Sequence, residues 1–254
     1  MGEKVGLFVT CLVDFFRPSV GFAAVKLLEA GGCTVEVAPS QPCCGQPAYN
    51  SGDRRDAQAL ARQTIDAFES YPHIVVPSGS CAGMISRHYP DLLKDDAVYA
   101  PRAAALAART YELVAFLTHV LKLDRLPVPA RYRARITYHD SCSALRELGI
   151  EAEPRRFLAN VDGVELTELP DRQSCCGFGG TFCVKYPEIS TRMVEAKTAA
   201  IAASGADTVC SADLGCLLNI AGRLRREGRR IKARHIAEVL TGASDTPAIG
   251  EARD

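Results

Sequence analysis

The chain has 254 residues, of which 47% are hydrophobic and 24% are charged, as is usual for a soluble globular protein. Thirty basic residues balance thirty acidic residues, so the net charge offers no general attraction to nucleic acid or to a membrane surface. No apolar run is long enough to cross a bilayer, and the first residues lack a signal-peptide pattern. We therefore expect a cytoplasmic protein that does not insert into membranes.

The first half of the chain alternates predicted strands and helices. A Pro near the start and a Gly after the end are typical of a helix over residues 18–31. The predicted elements in chain order are strand 5–9, helix 18–31, strand 35–37, helix 54–69 and strand 74–76. The alanine-rich residues 103–121 are predicted to form one connecting helix.

The second half repeats this order, with strands over residues 136–138, 164–166 and 208–210. A helix over residues 187–205 is indicated by Ile189, Met193 and Ile201 at helical spacing. The basic residues 223–234 are interpreted as a solvated helix and turn. The alternation predicts an α/β fold of two pseudo-repeated Rossmann-like halves with parallel sheets. Prolines in residues 126–129 place the boundary between domains 1–128 and 129–254.

Eleven cysteines are the most unusual feature of the composition. In a reducing cytosol they indicate metal or cluster ligation rather than disulfides, and thiolates select iron–sulfur clusters and zinc. Thirty-one residues separate Cys11 from Cys43, and thirty-two separate Cys142 from Cys175. Because the carboxyl ends of parallel strands share one edge, each half is predicted to gather four cysteines there. These predicted cofactor and metal ligands are Cys11, Cys43, Cys44 and Cys81 in one half, and Cys142, Cys175, Cys176 and Cys216 in the other.

Other interpretations apply to some of these cysteines. Zinc also accepts four thiolates, although adjacent cysteines are unusual in zinc sites. Cys33 and Cys210 lie in or beside strand-like segments and are interpreted as buried, inert thiols. Further candidate ligands of the second site are His139, Cys183 and Asp213.

The residues around these cysteines resemble the cysteine-rich CCG-domain family, in which a lone Cys is followed by Cys-Cys-Gly and then by Cys-x-x-Cys. The resemblance is closer still to the lactate utilisation protein A family, which is related to the cysteine-rich component of heterodisulfide reductase. It covers essentially the whole chain. The motifs that carry it are residues 43–52, 77–81, 138–142, 175–182, 212–220 and 235–240.

The resemblance implies up to two [4Fe–4S] clusters, of cubane or non-cubane type, with zinc as the alternative. This chain departs from the full motif, because Ser78 and Asp213 stand where the family has the first Cys of Cys-x-x-Cys. Each site therefore lacks one thiolate. Ser78 is expected to make a capping hydrogen bond, whereas both capping and ligation by oxygen stay open for Asp213.

The residues predict redox chemistry, and the resemblance implies lactate as the substrate of the system. We expect an iron–sulfur electron-transfer subunit of a complex that oxidises L-lactate to pyruvate, rather than a complete enzyme. The implied partners are companion lactate-utilisation subunits, one of them a ferredoxin-like iron–sulfur protein, and not nucleic acid. Two alternatives stay open, namely a cluster-dependent thiol–disulfide reductase subunit and a zinc-stabilised assembly scaffold. No catalytic residue is identified.

Overall fold

Two compact units make up the chain, one extending to Lys122 and the other starting at Leu123. The structure, a computed structural model, describes residues 2–251. Each unit contains a four-stranded sheet in which all neighbouring strands are parallel. Helices connect these strands. The predicted α/β class with two repeated halves is therefore confirmed.

The first unit arranges its strands in the order β2-β1-β3-β4. Its strands are β1 (Lys4–Leu7), β2 (Thr34–Glu36), β3 (His73–Val76) and β4 (Thr110–Glu112). Its α-helices are α1 (Cys11–Phe16), α2 (Pro18–Ala30), α3 (Gln46–Asn50), α4 (Arg54–Phe68), α5 (Gly79–Gly83), α6 (Tyr89–Leu92), α7 (Tyr99–Ala107) and α8 (Leu113–His119). A π-helical turn, Met84–His88, joins α5 to α6.

The second unit repeats this arrangement with the strand order β6-β5-β7-β8. Its strands are β5 (Arg131–Tyr138), β6 (Asp162–Leu166), β7 (Thr208–Ser211) and β8 (Lys232–His235). Its α-helices are α9 (Ala152–Leu158), α10 (Phe182–Lys185), α11 (Pro187–Ala203), α12 (Leu214–Arg226) and α13 (Ile236–Leu240). A π-helical turn, Ser143–Glu147, follows β5 directly.

The central strands are apolar because helices cover both faces of each sheet. Val5 and Leu7 of β1 are fully buried, as are Val75 and Val76 of β3. The neighbouring strands are in register, with Gly6 of β1 opposite Ile74 of β3. The polarity of the strands then places the loops that carry the cysteines at one edge of each sheet.

The prediction of one helix over residues 103–121 is wrong, because β4 interrupts it. Helix α7 ends at Ala107 and β4 pairs with β3. The β-branched Thr110 is buried in the sheet. The buried Glu112 ends the strand, and its carboxylate accepts hydrogen bonds from the backbone amides of Val114 and Ala115 at the start of α8.

A strand also interrupts the basic residues 223–234, so their prediction as a solvated helix and turn is wrong at its end. Helix α12 stops at Arg226 and β8 begins at Lys232. Arg234 lies in β8 with only 3% of its surface exposed, and its guanidinium donates to Thr246 Oγ1 and to the Pro247 carbonyl. Local charge favoured solvent, but pairing with β7 and these hydrogen bonds bury the residue.

Tyr89 provides a test of how the first unit holds one of its cysteine loops. The side chain is fully buried, and its hydroxyl donates to the Cys44 carbonyl at 2.8 Å. Replacing Tyr89 by Phe leaves that buried carbonyl without this donor, so the free energy of unfolding should fall by about 1–3 kcal/mol. Urea denaturation monitored by circular dichroism measures this change.

The matched control is Tyr111→Phe, which removes a hydroxyl that lies 3.5 Å from the Ala108 carbonyl on a partly exposed side chain. Its effect should stay within about 0.5 kcal/mol. Equal losses in the two variants would show that the Tyr89 hydroxyl does not stabilise the Cys44 loop.

Candidate metal centres

Four cysteine sulfurs come together in pairs in the first unit. The Sγ atoms of Cys11 and Cys43 are 3.9 Å apart, and those of Cys44 and Cys81 are 3.3 Å apart. Cys11 begins α1 just after β1, the adjacent pair follows β2, and Cys81 lies in α5 just after β3. The carboxyl ends of three neighbouring parallel strands thus supply all four sulfurs.

Local hydrogen bonds fix the segments that carry these sulfurs. Thr10 Oγ1 accepts from the Val13 amide and caps α1, whereas Ser78 Oγ accepts from the Cys81 amide and caps α5. Gly45 follows the cysteine pair with a φ of 82°. This left-handed conformation favours glycine and turns the chain directly into α3.

Electrostatic coupling in the first unit favours one thiolate over several. Hydrogen bonds from Cys11 and Cys44 lower the pKa of Cys43 well below the ordinary value of a thiol. The same contact with Cys43 raises the pKa of Cys11 and, together with burial, that of Cys44. Further ionisation in this partly buried cluster requires a compensating positive charge. A soft metal centre would provide that charge.

The second unit repeats this pairing. A hydrogen bond from Cys142 lowers the pKa of Cys175, which also accepts from the Gly177 amide at 3.3 Å. Cys176 is paired with Cys216, and both are buried. Gly177 has a φ of 81°, and a Cβ there would lie 2.7 Å from the Ser190 carbonyl oxygen. The close approach of α11 therefore also requires glycine after this pair.

His139 adds a nitrogen donor to the second site. The ring is fully buried, and neither of its nitrogens has a hydrogen-bond partner within residues 2–251. One ring nitrogen and the Sγ atoms of Cys176 and Cys216 all lie within 4.8 Å of one another. Burial, assisted by the positive charge of Lys197, lowers the pKa of His139 to about 3. The imidazole is therefore neutral at physiological pH, which is the form that binds metals.

The remaining candidates occupy more peripheral positions. Asp213 immediately precedes α12, in the same place that Ser78 takes before α5. Cys183 is partly exposed, and its thiol donates to the Gly180 carbonyl at 3.1 Å. Cys33 and Cys210 are buried, and burial raises the pKa of both thiols. Such thiols are poor nucleophiles and resist ionisation.

Three supporting residues near the second site had not been identified from the sequence. Arg155 makes a bidentate ion pair with the buried Asp140, the residue after His139, at 2.8 and 2.9 Å. Lys197 is fully buried, and its ammonium donates to the Asp171 carbonyl. Asn219 donates to the Cys176 carbonyl at 2.9 Å. A Lys on the apolar face of α11 was the available signal, whereas the exposed Ile189 made that face difficult to place.

The donor atoms in both units fit a soft metal centre. Each unit offers four sulfurs, and the second adds a buried imidazole that has no other partner among the described residues. Sulfur and imidazole nitrogen are ligands of zinc and of iron–sulfur clusters, whereas magnesium and calcium prefer oxygen. This chemistry favours iron or zinc.

The coupled thiols predict selective reactivity when the chain is free of metal. The lowered pKa of Cys43 and Cys175 keeps these sulfurs ionised at mildly acidic pH, whereas the raised pKa of Cys33 keeps it protonated. Iodoacetamide at pH 6 should therefore label Cys43 and Cys175 first, because the thiolate is the nucleophile. Mass spectrometry of chelator-treated, reduced protein measures the order of labelling. Faster labelling of Cys33 would contradict the proposed charge distribution.

Comparison with known proteins agrees with this geometry. The family described as "CCG: Cysteine-rich domain" matches residues 5–86 and 136–221, one match in each unit. Proteins named "Lactate utilization protein A" from Halalkalibacterium halodurans and Exiguobacterium sp. are each 50% identical to this chain, over 93% of it and 96% of their own length. The protein of that name from Bacillus subtilis is 48% identical over 93% of this chain and 98% of its own length.

A solved structure supports the fold alone. The crystal structure of a hypothetical protein from Helicobacter pylori matches 99% of this chain with a TM-score of 0.64 and 11% sequence identity. This chain spans 50% of the length of that protein. The two family matches, one on each cysteine cluster, and the high identity over nearly the full length lead to one conclusion. The chain belongs to the cysteine-rich CCG-domain family and, within it, to the family of Lactate utilization protein A.

Proposed function

We propose that this chain is an iron–sulfur redox subunit of a system that oxidises L-lactate to pyruvate. The observation that carries the proposal is the gathering of four cysteine sulfurs at one sheet edge in each unit. Four thiolates are the usual ligand set of an iron–sulfur cluster. The word lactate comes from the name of the relatives, "Lactate utilization protein A".

The chain's own residues would hold and shield the cofactor. Cys11, Cys43, Cys44 and Cys81 are the proposed ligands in the first unit, and Cys142, Cys175, Cys176 and Cys216 are those in the second. A bound [4Fe–4S] cluster supplies one-electron transfer. The buried sulfurs of Cys44 and Cys176 exclude water from one side of each site. Tyr89 and Asn219 hold the backbone carbonyls of these two residues.

Metal analysis after anaerobic purification tests the proposal directly. Iron and acid-labile sulfide in comparable amounts, with a broad visible absorption, are the expected result. A colourless protein that contains zinc would favour the assembly scaffold instead. An iron-containing protein that reduces disulfides but gives no lactate-dependent activity with companion subunits would favour the thiol–disulfide reductase.

Substitution of one cysteine should affect one unit only. Cys44→Ser removes a thiolate from the first set and should reduce bound iron by about half, because each unit carries its own ligands. The control is Cys33→Ser, which makes the same change at a buried thiol that is not a proposed ligand. Iron and sulfide per chain, with absorption spectra of both variants, provide the measurement. Full iron content in Cys44→Ser would contradict the ligand assignment.

We also propose that the chain works with companion subunits. Conversion of lactate to pyruvate releases two electrons and two protons, whereas a cluster accepts one electron at a time. A partner would therefore act as the two-electron acceptor. The exposed cations Arg225, Arg226, Arg230 and Lys232 at the end of α12 and the start of β8 offer an attractive surface for an acidic partner.

Reversal of these charges tests the docking surface. The double variant Arg226→Glu/Arg230→Glu leaves the ion pair of Arg229 with Glu227 in place. It should weaken association at low salt by about tenfold or more, and high salt should reduce the difference. Arg54→Glu/Arg55→Glu makes the same charge change at exposed residues of the first unit and serves as control. Equal affinities in a binding titration with the companion subunits would exclude this surface.

Activity should likewise depend on the companion subunits. The isolated chain should reduce a dye with lactate at a negligible rate, and addition of the companion subunits should restore turnover. Full lactate turnover by the isolated chain would make it the complete enzyme and contradict the proposal.

A further inference from the structure

The two units place different residues at one equivalent position. The backbone amide of Phe8 donates to the Val75 carbonyl at 2.9 Å, just after β1. The backbone amide of His139 donates to the Cys210 carbonyl at 2.8 Å, just after β5. Each residue stands three positions before the lone cysteine of its unit, Cys11 or Cys142. The backbone therefore serves the same purpose in both units, whereas the side chains differ in chemistry.

Phe8 shows what this position requires for packing alone. Its ring is fully buried and lies 5.4 Å from the ring of Phe68. An apolar side chain therefore satisfies the position in the first unit. His139 is buried to the same extent but carries two polar nitrogens, neither of which has a hydrogen-bond partner within residues 2–251. Buried polar atoms normally find a partner, so the histidine needs a reason beyond packing.

The surroundings of His139 indicate a metal as the missing partner. A ring nitrogen lies within 4.8 Å of the Sγ atoms of Cys176 and Cys216. The cationic Lys197 donates to the Asp171 carbonyl, and the carboxylate of Asp140 is held by Arg155. These charged groups are therefore already paired. One nitrogen and two sulfurs form a known ligand set of zinc, and imidazole also replaces thiolate in some iron–sulfur centres.

We propose that His139 donates an imidazole nitrogen to the metal centre of the second unit, beside Cys176 and Cys216, so that the two centres of the chain differ in their ligands. This inference rests on the proposed function, since it requires that the second unit binds metal. Asp140 and Arg155 position the histidine, because their ion pair fixes the backbone of the next residue.

A difference in redox potential follows from this difference in ligands. A neutral imidazole brings no negative charge to the centre, whereas a thiolate does, and fewer negative ligands make reduction easier. The second centre should therefore be reduced at a higher potential than the first. A chain with two unequal centres gives electron flow between them a direction, from the first unit to the second.

Nitrogen hyperfine spectroscopy tests the ligand assignment independently of activity. The chain is produced with ¹⁵N-labelled histidine, reconstituted anaerobically with iron and sulfide, reduced and examined by pulsed electron paramagnetic resonance. We expect a ¹⁵N coupling of the size shown by directly bound imidazole. His139→Phe, which installs the residue of the first unit, should abolish this coupling. His119→Phe, the same change at an exposed histidine, should leave it intact.

Each result has a definite meaning. Loss of the coupling in His139→Phe supports the inference, whether the second centre is retained with a lowered potential or is lost together with about half of the iron. A wild-type chain that binds iron without any ¹⁵N coupling, or with only the weak coupling of a hydrogen bond, overturns it. A coupling that persists in His139→Phe also overturns it. A wild-type chain that binds no iron overturns the proposed function itself, and this inference with it.

Discussion

Electrostatic repulsion between buried thiolates is the constraint on which both candidate sites depend. The fold brings four sulfurs to one edge of each sheet, and the thiols of Cys44 and Cys176 have only 2% of their surfaces exposed. In such surroundings the ionisation of Cys43 or Cys175 raises the pKa of the adjacent thiols. The backbone therefore holds together groups that repel one another once ionised. Only a positive charge among them could remove the conflict.

The hydrogen bonds around the cysteines address this conflict before any metal is present. Tyr89 and Asn219 come from different parts of their units, yet each donates to the carbonyl of the second cysteine in the adjacent pair. Helix caps hold Cys11 and Cys81 from the other side. Such contacts reduce the conformational entropy that a ligand set loses when it binds metal. The preorganisation thus lies in neutral contacts rather than in the thiols themselves.

Strands followed by cysteines were predictable from the sequence, because apolar runs and the repeated Cys-Cys-Gly motif are local signals. The two outer strands were not. Strand β4 lies in an alanine-rich stretch of helical character, and β8 lies in a basic run, so pairing with a neighbouring strand decided both. The isolation of the His139 nitrogens was equally invisible. It depends on which side chains surround the ring, and no local pattern records that.

The sequential separation of the two ligand sets has a consequence for biosynthesis. All four cysteines proposed for the first unit precede Lys122, and all four proposed for the second follow Leu123. Domains generally fold as units during translation, starting from the N-terminus. The ribosome would therefore release the complete first set of thiols before Cys142 is synthesised. The order of the polypeptide itself would keep the nascent chain from mixing ligands of the two units.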